Sequence, residues 1–234
     1  MQPASEAVGP LPALRPGDVH VWFYDLDGPY PAGADAAGCL DRGEQVKADR
    51  LMRERDRLRY RAAHCAVRHL TAGYLGCAPA EVLITRECAH CGDPAHGKPA
   101  WAAPSGRRIE ANASHSDALG ALAVTLPGRQ LGMDVEFRRT NVNWAGILPD
   151  PATAVPPGDG FAEWTKLEAV AKAAGTGIVK MPTLSPPDPT GWAPARIATT
   201  RPAWRVRNLW APDGYAAALA VSDLPTDLQL RWHR

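Results

Sequence analysis

The sequence has almost no net charge. Its 26 Lys and Arg nearly balance 25 Asp and Glu, leaving +1. Bulk electrostatics therefore points to no polyanion and no membrane surface, and any basic site must be local. No stretch approaches the roughly 20 apolar residues of a membrane helix. The opening MQPASEAVGPLPALRPGD has no charged region and no unbroken apolar run, so it does not read as a secretory leader. A cytoplasmic protein is expected. Five cysteines, an odd number, in a reducing compartment exclude a disulfide framework. There is no internal repeat. One CxxC is present, Cys88-Ala-His90-Cys91 with His96 beyond it. That is half a structural zinc site, which a histidine or two would have to close.

What the sequence does have is length and pattern. Its 234 residues, 45% hydrophobic and 22% charged, suffice for one large domain or two small ones with a real core. Proline crowds into Pro149–Pro157 and Pro182–Pro202, which read as loops between packed elements. Val19–Asp25 is rich in β-branched and aromatic residues and reads as a strand. Ala48–Leu75 reads as one or two helices, stopped at Gly76, with Leu51, Leu58, Ala62, Cys65 and His69 on one face. Arginines crowd the other faces. Val82–Thr85 and Ala121–Leu126 read as strands. Leu131–Phe137 follows the Pro127-Gly128 turn and would pair with Ala121–Leu126 as a hairpin. Phe161–Ala174 is a helix ending at Gly175. Trp204–Trp210 and Tyr215–Val221 close the chain as an antiparallel pair. The class is α+β.

Two carboxylates, Asp134 and Glu136, stand two apart on a strand and leave one face of it. Their oxygens suit a hard cation such as Mg²⁺, or simply a solvated acidic face. On the Phe161 helix, Phe161, Trp164, Glu168, Ala171 and Lys172 share a face. Glu168 and Lys172 are neighbours at i, i+4. They make a surface ion pair, or, if the aromatics mark the buried side, a site for metal or phosphate. Ser114-His115-Ser116 follows Asn112 in an expected turn, where hydroxyls and free amides suit an anion. Gly97-Lys98-Pro99 offers close backbone approach, a point charge and a stiff turn. The arginine helix is a solvated basic face or an electropositive wall for phosphates.

In this order, four segments resemble the Sfp-type (surfactin-synthetase-activator-type) 4′-phosphopantetheinyl transferases. They are His96-Gly-Lys-Pro99, Asn112-Ala-Ser-His-Ser116, Leu131-Gly-Met-Asp-Val-Glu136 and Trp164-x-x-x-Glu-Ala-x-x-Lys172 followed by Gly175-x-Gly177. The resemblance implies two similar α/β halves in one monomeric chain, 1–127 and 128–234, related by a pseudo-twofold axis with coenzyme A in the cleft between them. It implies Mg²⁺ held by Asp134, Glu136 and Glu168. Glu168 would also help deprotonate the serine of an acyl or peptidyl carrier protein, and Lys172 would steady the leaving group. Ser114, His115, Lys98, Arg55, Arg59 and Lys47 would hold the nucleotide and its 3′-phosphate, with Pro99 along the adenine. Polyketide or nonribosomal-peptide carriers are the implied partners. A non-catalytic module binding coenzyme A or a carrier is the alternative, and a Mg²⁺-dependent hydrolase a third.

The chain departs from the family pattern twice. Leu167 stands where many members have lysine before the helix glutamate. Lys166 lies roughly 160° around the helix from Glu168 and does not replace it. Leu167 is expected on a helix flank that would accept a snorkelling lysine. The segment between Glu136 and Phe161 is also short, where members often carry an acid-rich helix bordering the carrier groove.

Overall fold

The protein's structure, a computed structural model, describes residues 11–28, 36–87, 92–93, 97–148, 159–177, 180–198, 203–222 and 228–233. The half zinc motif with His96, and the Pro149–Pro157 stretch, lie outside them. In chain order the elements are β1 (Asp18–Asp25), α1 (Ala36–Cys39), α2 (Arg42–Asp49), α3 (Glu54–Leu75), β2 (Leu83–Glu87), β3 (Lys98–Ala102), β4 (Arg108–Ser116), β5 (Leu119–Thr125), β6 (Leu131–Phe137), α4 (Gly160–Ala174), β7 (Thr183–Leu184), β8 (Ala193–Arg196), β9 (Trp204–Leu209), β10 (Tyr215–Ser222) and β11 (Gln229–His233). The class is α+β, as the pattern implies.

The strands form two sheets. The first has the order β11-β1-β5-β4-β3-β2 and the second β6-β10-β9-β8-β7. Period-two alternation decides what each face meets. Val19, Val21, Phe23, Leu119, Ala121 and Ala123 of the first sheet bury against Leu131, Met133, Val135, Ala217, Leu219 and Val221 of the second. The other face of the first sheet, through Tyr24, Leu122 and Val124, packs on α3. The other face of the second, through Ala218, Ala220 and Val206, packs on α4. The order of layers is therefore helix, sheet, sheet, helix. Each large aliphatic side chain buried in this stack contributes about 1.5–3 kcal/mol. No helix among the described residues is long and apolar enough to cross a membrane.

Two glycines permit the close approaches. At Gly132 on β6, a Cβ would collide with the Ala169 carbonyl and the Ala173 amide of α4. At Gly120, one would collide with the Tyr24 ring lying over it from β1. Helix ends follow ordinary rules. Asp41 and Glu44 make a reciprocal capping box on α2. Asp159 caps α4, and Gly76 and Gly175 end α3 and α4 in the left-handed conformation.

Several expectations need correction. Leu131–Phe137 makes no hairpin with the strand before it. Both edges of β5 are taken by β1 and β4, so β6 passes to the second sheet and pairs with β10. Ser114-His115-Ser116 is not a turn but the end of β4. The reversal comes at Asp117, which takes a positive φ of 50°. The second proline-rich stretch contains β7 and β8. On α3, Leu58 is 55% exposed and His69 is exposed, while Ala62 and Cys65 are buried. On α4, the buried side is Thr165, Leu167, Ala169, Val170, Ala171 and Ala173, not the face of Phe161 and Glu168.

Leu167, expected on a flank, is only 4% exposed, and Lys166 is paired with Glu163 at 2.7 Å. A lysine at 167 would carry its stem and charge into the core. Leu167→Lys should therefore lower unfolding free energy by about 3 kcal/mol or more in urea titration; wild-type stability would contradict this packing.

Candidate functional site

β3 pairs with β4 at Trp101–Ile109 and Ala102–Arg108, while its pairing with β2 continues to Lys98. Beyond those two positions β4 runs on with no strand of the described residues on that edge. The gap is a cavity of about 290 Å³. Pro99 and Trp101 of β3, His64 of α3, Ser114 and His115 of β4, and Lys172 of α4 line it. A second cavity of about 220 Å³ adjoins it, sharing Glu44, His64 and Arg86 and adding Lys47.

Asp134 and Glu136 leave β6 on the side of α4, as their spacing implies. Asp134 is 3% exposed. Its Oδ1 accepts from Ser114 Oγ at 2.9 Å and from Lys172 Nζ at 2.6 Å. Lys172 also donates to Ser114 at 2.9 Å. Asp134 Oδ2 is enclosed by protein and has no hydrogen-bond partner among the described residues. Glu136 accepts from Ser116 Oγ at 2.8 Å. Glu168 stands half-buried one helical turn before Lys172.

The electrostatics shows an excess of negative charge. Burial pushes the Asp134 carboxyl above its ordinary range, and Lys172 offsets only part of this. Burial also raises Glu168, and the negative charges of Asp134 and Glu136 raise it further. Among the described residues, no three His, Cys, Asp or Glu side chains converge as they stand into a metal site. The donors nevertheless suit a hard cation. They are all carboxylate oxygens, one of them buried without a partner among the described residues, and their charge is incompletely neutralised.

The expected nucleotide-binding residues divide into three groups. His115, Ser114 and Pro99 reach the main cavity, and Lys47 the second. Lys98 stands at the start of β3, largely buried against Glu110 in an ion pair. Its Cβ lies where α4 ends, 3.2 Å from where a Cβ on Gly175 would be. Arg55 and Arg59 line neither cavity. Arg59 is 6% exposed and clasped by Asp27, at 2.7 Å, and by Asp117. Arg55 is exposed, 3.8 Å from the same two carboxylates.

The sequence reading missed Glu44, His64, Arg86 and Trp101. Glu44 was accessible through the Asp41-x-x-Glu44 capping pattern. Burial tends to raise its carboxyl, but hydrogen bonds from His64, the Asp41 amide and Arg68 hold it down at about 2. His64 stacks on Tyr60 at i, i+4, ring centroids 4.1 Å apart. Arg86 comes in only through strand register, opposite Pro99. No local pattern marks it.

His115 is exposed at the end of β4; the protein packed around its ring, then the charges of His64 and Lys172, lower its imidazole from the ordinary value. Solvent still reaches the ring, which moderates the shift. His115 is therefore neutral at pH 7. Because the folded pKa is lowered, its contribution to stability is present above the ordinary histidine range and lost as pH falls below it. An NMR titration should give His115 a midpoint below 6.5; a midpoint at or above that value would mean that the ring is neither enclosed by the protein nor beside Lys172.

No protein-family model matches the chain. The chain is 31% identical over 228 residues to the 4′-phosphopantetheinyl transferase HetI of Nostoc sp., covering 89% of this chain and 90% of that relative. Such identity over nearly the whole of both proteins places this chain in the 4′-phosphopantetheinyl transferase family.

Proposed function

We propose that the protein transfers the 4′-phosphopantetheine group of coenzyme A to a serine of an apo acyl or peptidyl carrier protein, releasing 3′,5′-ADP. The transfer is Mg²⁺-dependent, in a monomeric cytoplasmic enzyme serving polyketide or nonribosomal-peptide carriers. The observation that carries this reading is the incompletely neutralised set of buried Asp134 with half-buried Glu136 and Glu168, beside a cavity lined by Lys172, His115 and Pro99. In this reading the two helix-on-sheet layers are pseudo-twofold halves, 1–127 and 128–234, with coenzyme A in the cleft between them. β11 then crosses back to the first sheet.

Asp134, Glu136 and Glu168 would hold Mg²⁺. Bound there, the ion would draw charge from the pyrophosphate oxygens. The chain's own groups do the rest. Glu168, with its raised proton affinity, accepts the proton of the carrier serine. The serine oxygen bonds to the phosphorus bearing the pantetheine arm, and the bond from that phosphorus to 3′,5′-ADP breaks. Lys172, freed from Asp134, offsets the negative charge gathering on the leaving phosphate. His115 holds the 3′-phosphate, assisted by Lys47, and Lys98 would join them only on leaving Glu110. Pro99 with Trp101 gives the adenine an apolar wall. Arg59 is committed to Asp27 and Asp117 and supports the site from behind.

The test is intact-protein mass spectrometry of an apo carrier domain incubated with the protein, coenzyme A and Mg²⁺, beside an EDTA control. One phosphopantetheine should be gained only with Mg²⁺. Asp134→Ala and Glu168→Ala should each lower the rate by about a hundredfold or more. Wild-type turnover in either variant would remove the metal assignment. Release of 3′,5′-ADP without a carrier would instead mark a hydrolase.

A further inference from the structure

Asn112, Ser114 and Ser116 stand at every second position of β4, on the face turned toward β6. Here β4 has lost β3, and β6 is the edge of its own sheet. Side chains join them instead of a backbone ladder. Asn112 Oδ1 accepts from the Met133 amide at 2.9 Å, and Ser116 Oγ from the Phe137 amide at 3.1 Å. Four residues separate the contacts on each strand, so β4 and β6 are matched in step.

The hydroxyl of Ser116 has one proton, and it goes to Glu136 Oε2 at 2.8 Å. Because its oxygen also accepts from a fixed backbone amide, the direction of that proton is set by β6 itself. The other oxygen, Glu136 Oε1, makes no hydrogen bond among the described residues.

We infer that Ser116 is a positioning residue: its hydroxyl holds the Glu136 carboxylate in the orientation that leaves Oε1 for the cation. The inference rests on the reading above, in which Glu136 is a cation ligand. Ser114 and Ser116 would then have separate tasks, the first on Asp134 and Lys172, the second on Glu136. Partners of this kind, one bond removed from the metal, are worth about 10–100-fold in metal affinity.

The experiment measures Mn²⁺ binding to the free protein by loss of the free-ion electron paramagnetic resonance signal, with no coenzyme A and no turnover. Ser116→Ala should weaken Mn²⁺ by about 10–100-fold, with a cooperative melt. Ser116→Thr, which keeps the hydroxyl, should bind within about threefold of wild type. Glu136→Ala is the control. If it loses Mn²⁺ while Ser116→Ala binds like wild type, the positioning role is overturned and the ligand assignment stands. If Glu136→Ala also binds like wild type, or wild type does not bind, the ligand assignment fails and takes the inference with it. Should Ser116→Ala not fold, Ser116→Val against Ser116→Thr isolates the hydroxyl at constant shape. Equal affinity in that pair overturns the inference; loss in the valine variant alone supports it.

Discussion

Asp134 brings a carboxylate to a place that water hardly reaches. An uncompensated charge there would cost several kcal/mol, and the surroundings are arranged around that fact. Ser114 comes from the first sheet and Lys172 from α4, so one oxygen of Asp134 joins three elements. α4 can bring Lys172 this close because Gly132 lets its backbone lie directly on β6. The second oxygen is left without a partner among the described residues. The molecule thus holds together at the seam of its two sheets through a group whose neutralisation is incomplete, and that incompleteness is what gives the seam its chemistry.

The many arginines of α3 serve this arrangement less directly than their number suggests. Arg68, 2% exposed, bonds to Glu44 and Asp41 at 2.7 Å each and fastens α2 to α3. Arg59 fastens the end of β1 and the β4–β5 turn to α3. Arg57 and Arg61 pair with Glu54 and Asp49. Positive charge at the cavities comes instead from scattered single residues, Lys47, Arg86 and Lys172.

The parts of the site that depend on one element could be read from the sequence. Period two put Asp134 and Glu136 on one side of a strand, and 100° per residue put Glu168 beside Lys172. The glycine stops at Gly76 and Gly175 follow from backbone sterics. The parts that depend on two elements could not be read in this way. Nothing local says that β4 is abandoned by β3 halfway, which makes the cavity, or that Arg86 arrives opposite Pro99. Ser114-His115-Ser116 looked like a turn because its residue types favour turns, but β5 gives it a full partner and tertiary pairing overrides propensity. Leu167 was misplaced because aromatic residues seemed to mark the buried side of α4, whereas small residues do: Ala169, Ala171 and Ala173 allow the helix to sit close, and the larger Phe161 and Trp164 remain half open.

β1 is gripped on one edge by β5 and on the other by β11, its parallel partner, with Asp18 opposite Gln229. More than two hundred residues separate those strands in the chain, and an ion pair from Arg231 to Asp18 at 3.0 Å and the stacking of His233 on Trp22 reinforce the pairing. Loop closure over such a span is slow to be rewarded in folding. The β1 edge therefore stays open until β11, more than two hundred residues further along the chain, can reach it. The sheet that holds the first strand in the sequence is thus closed by a strand from the far end of the described residues.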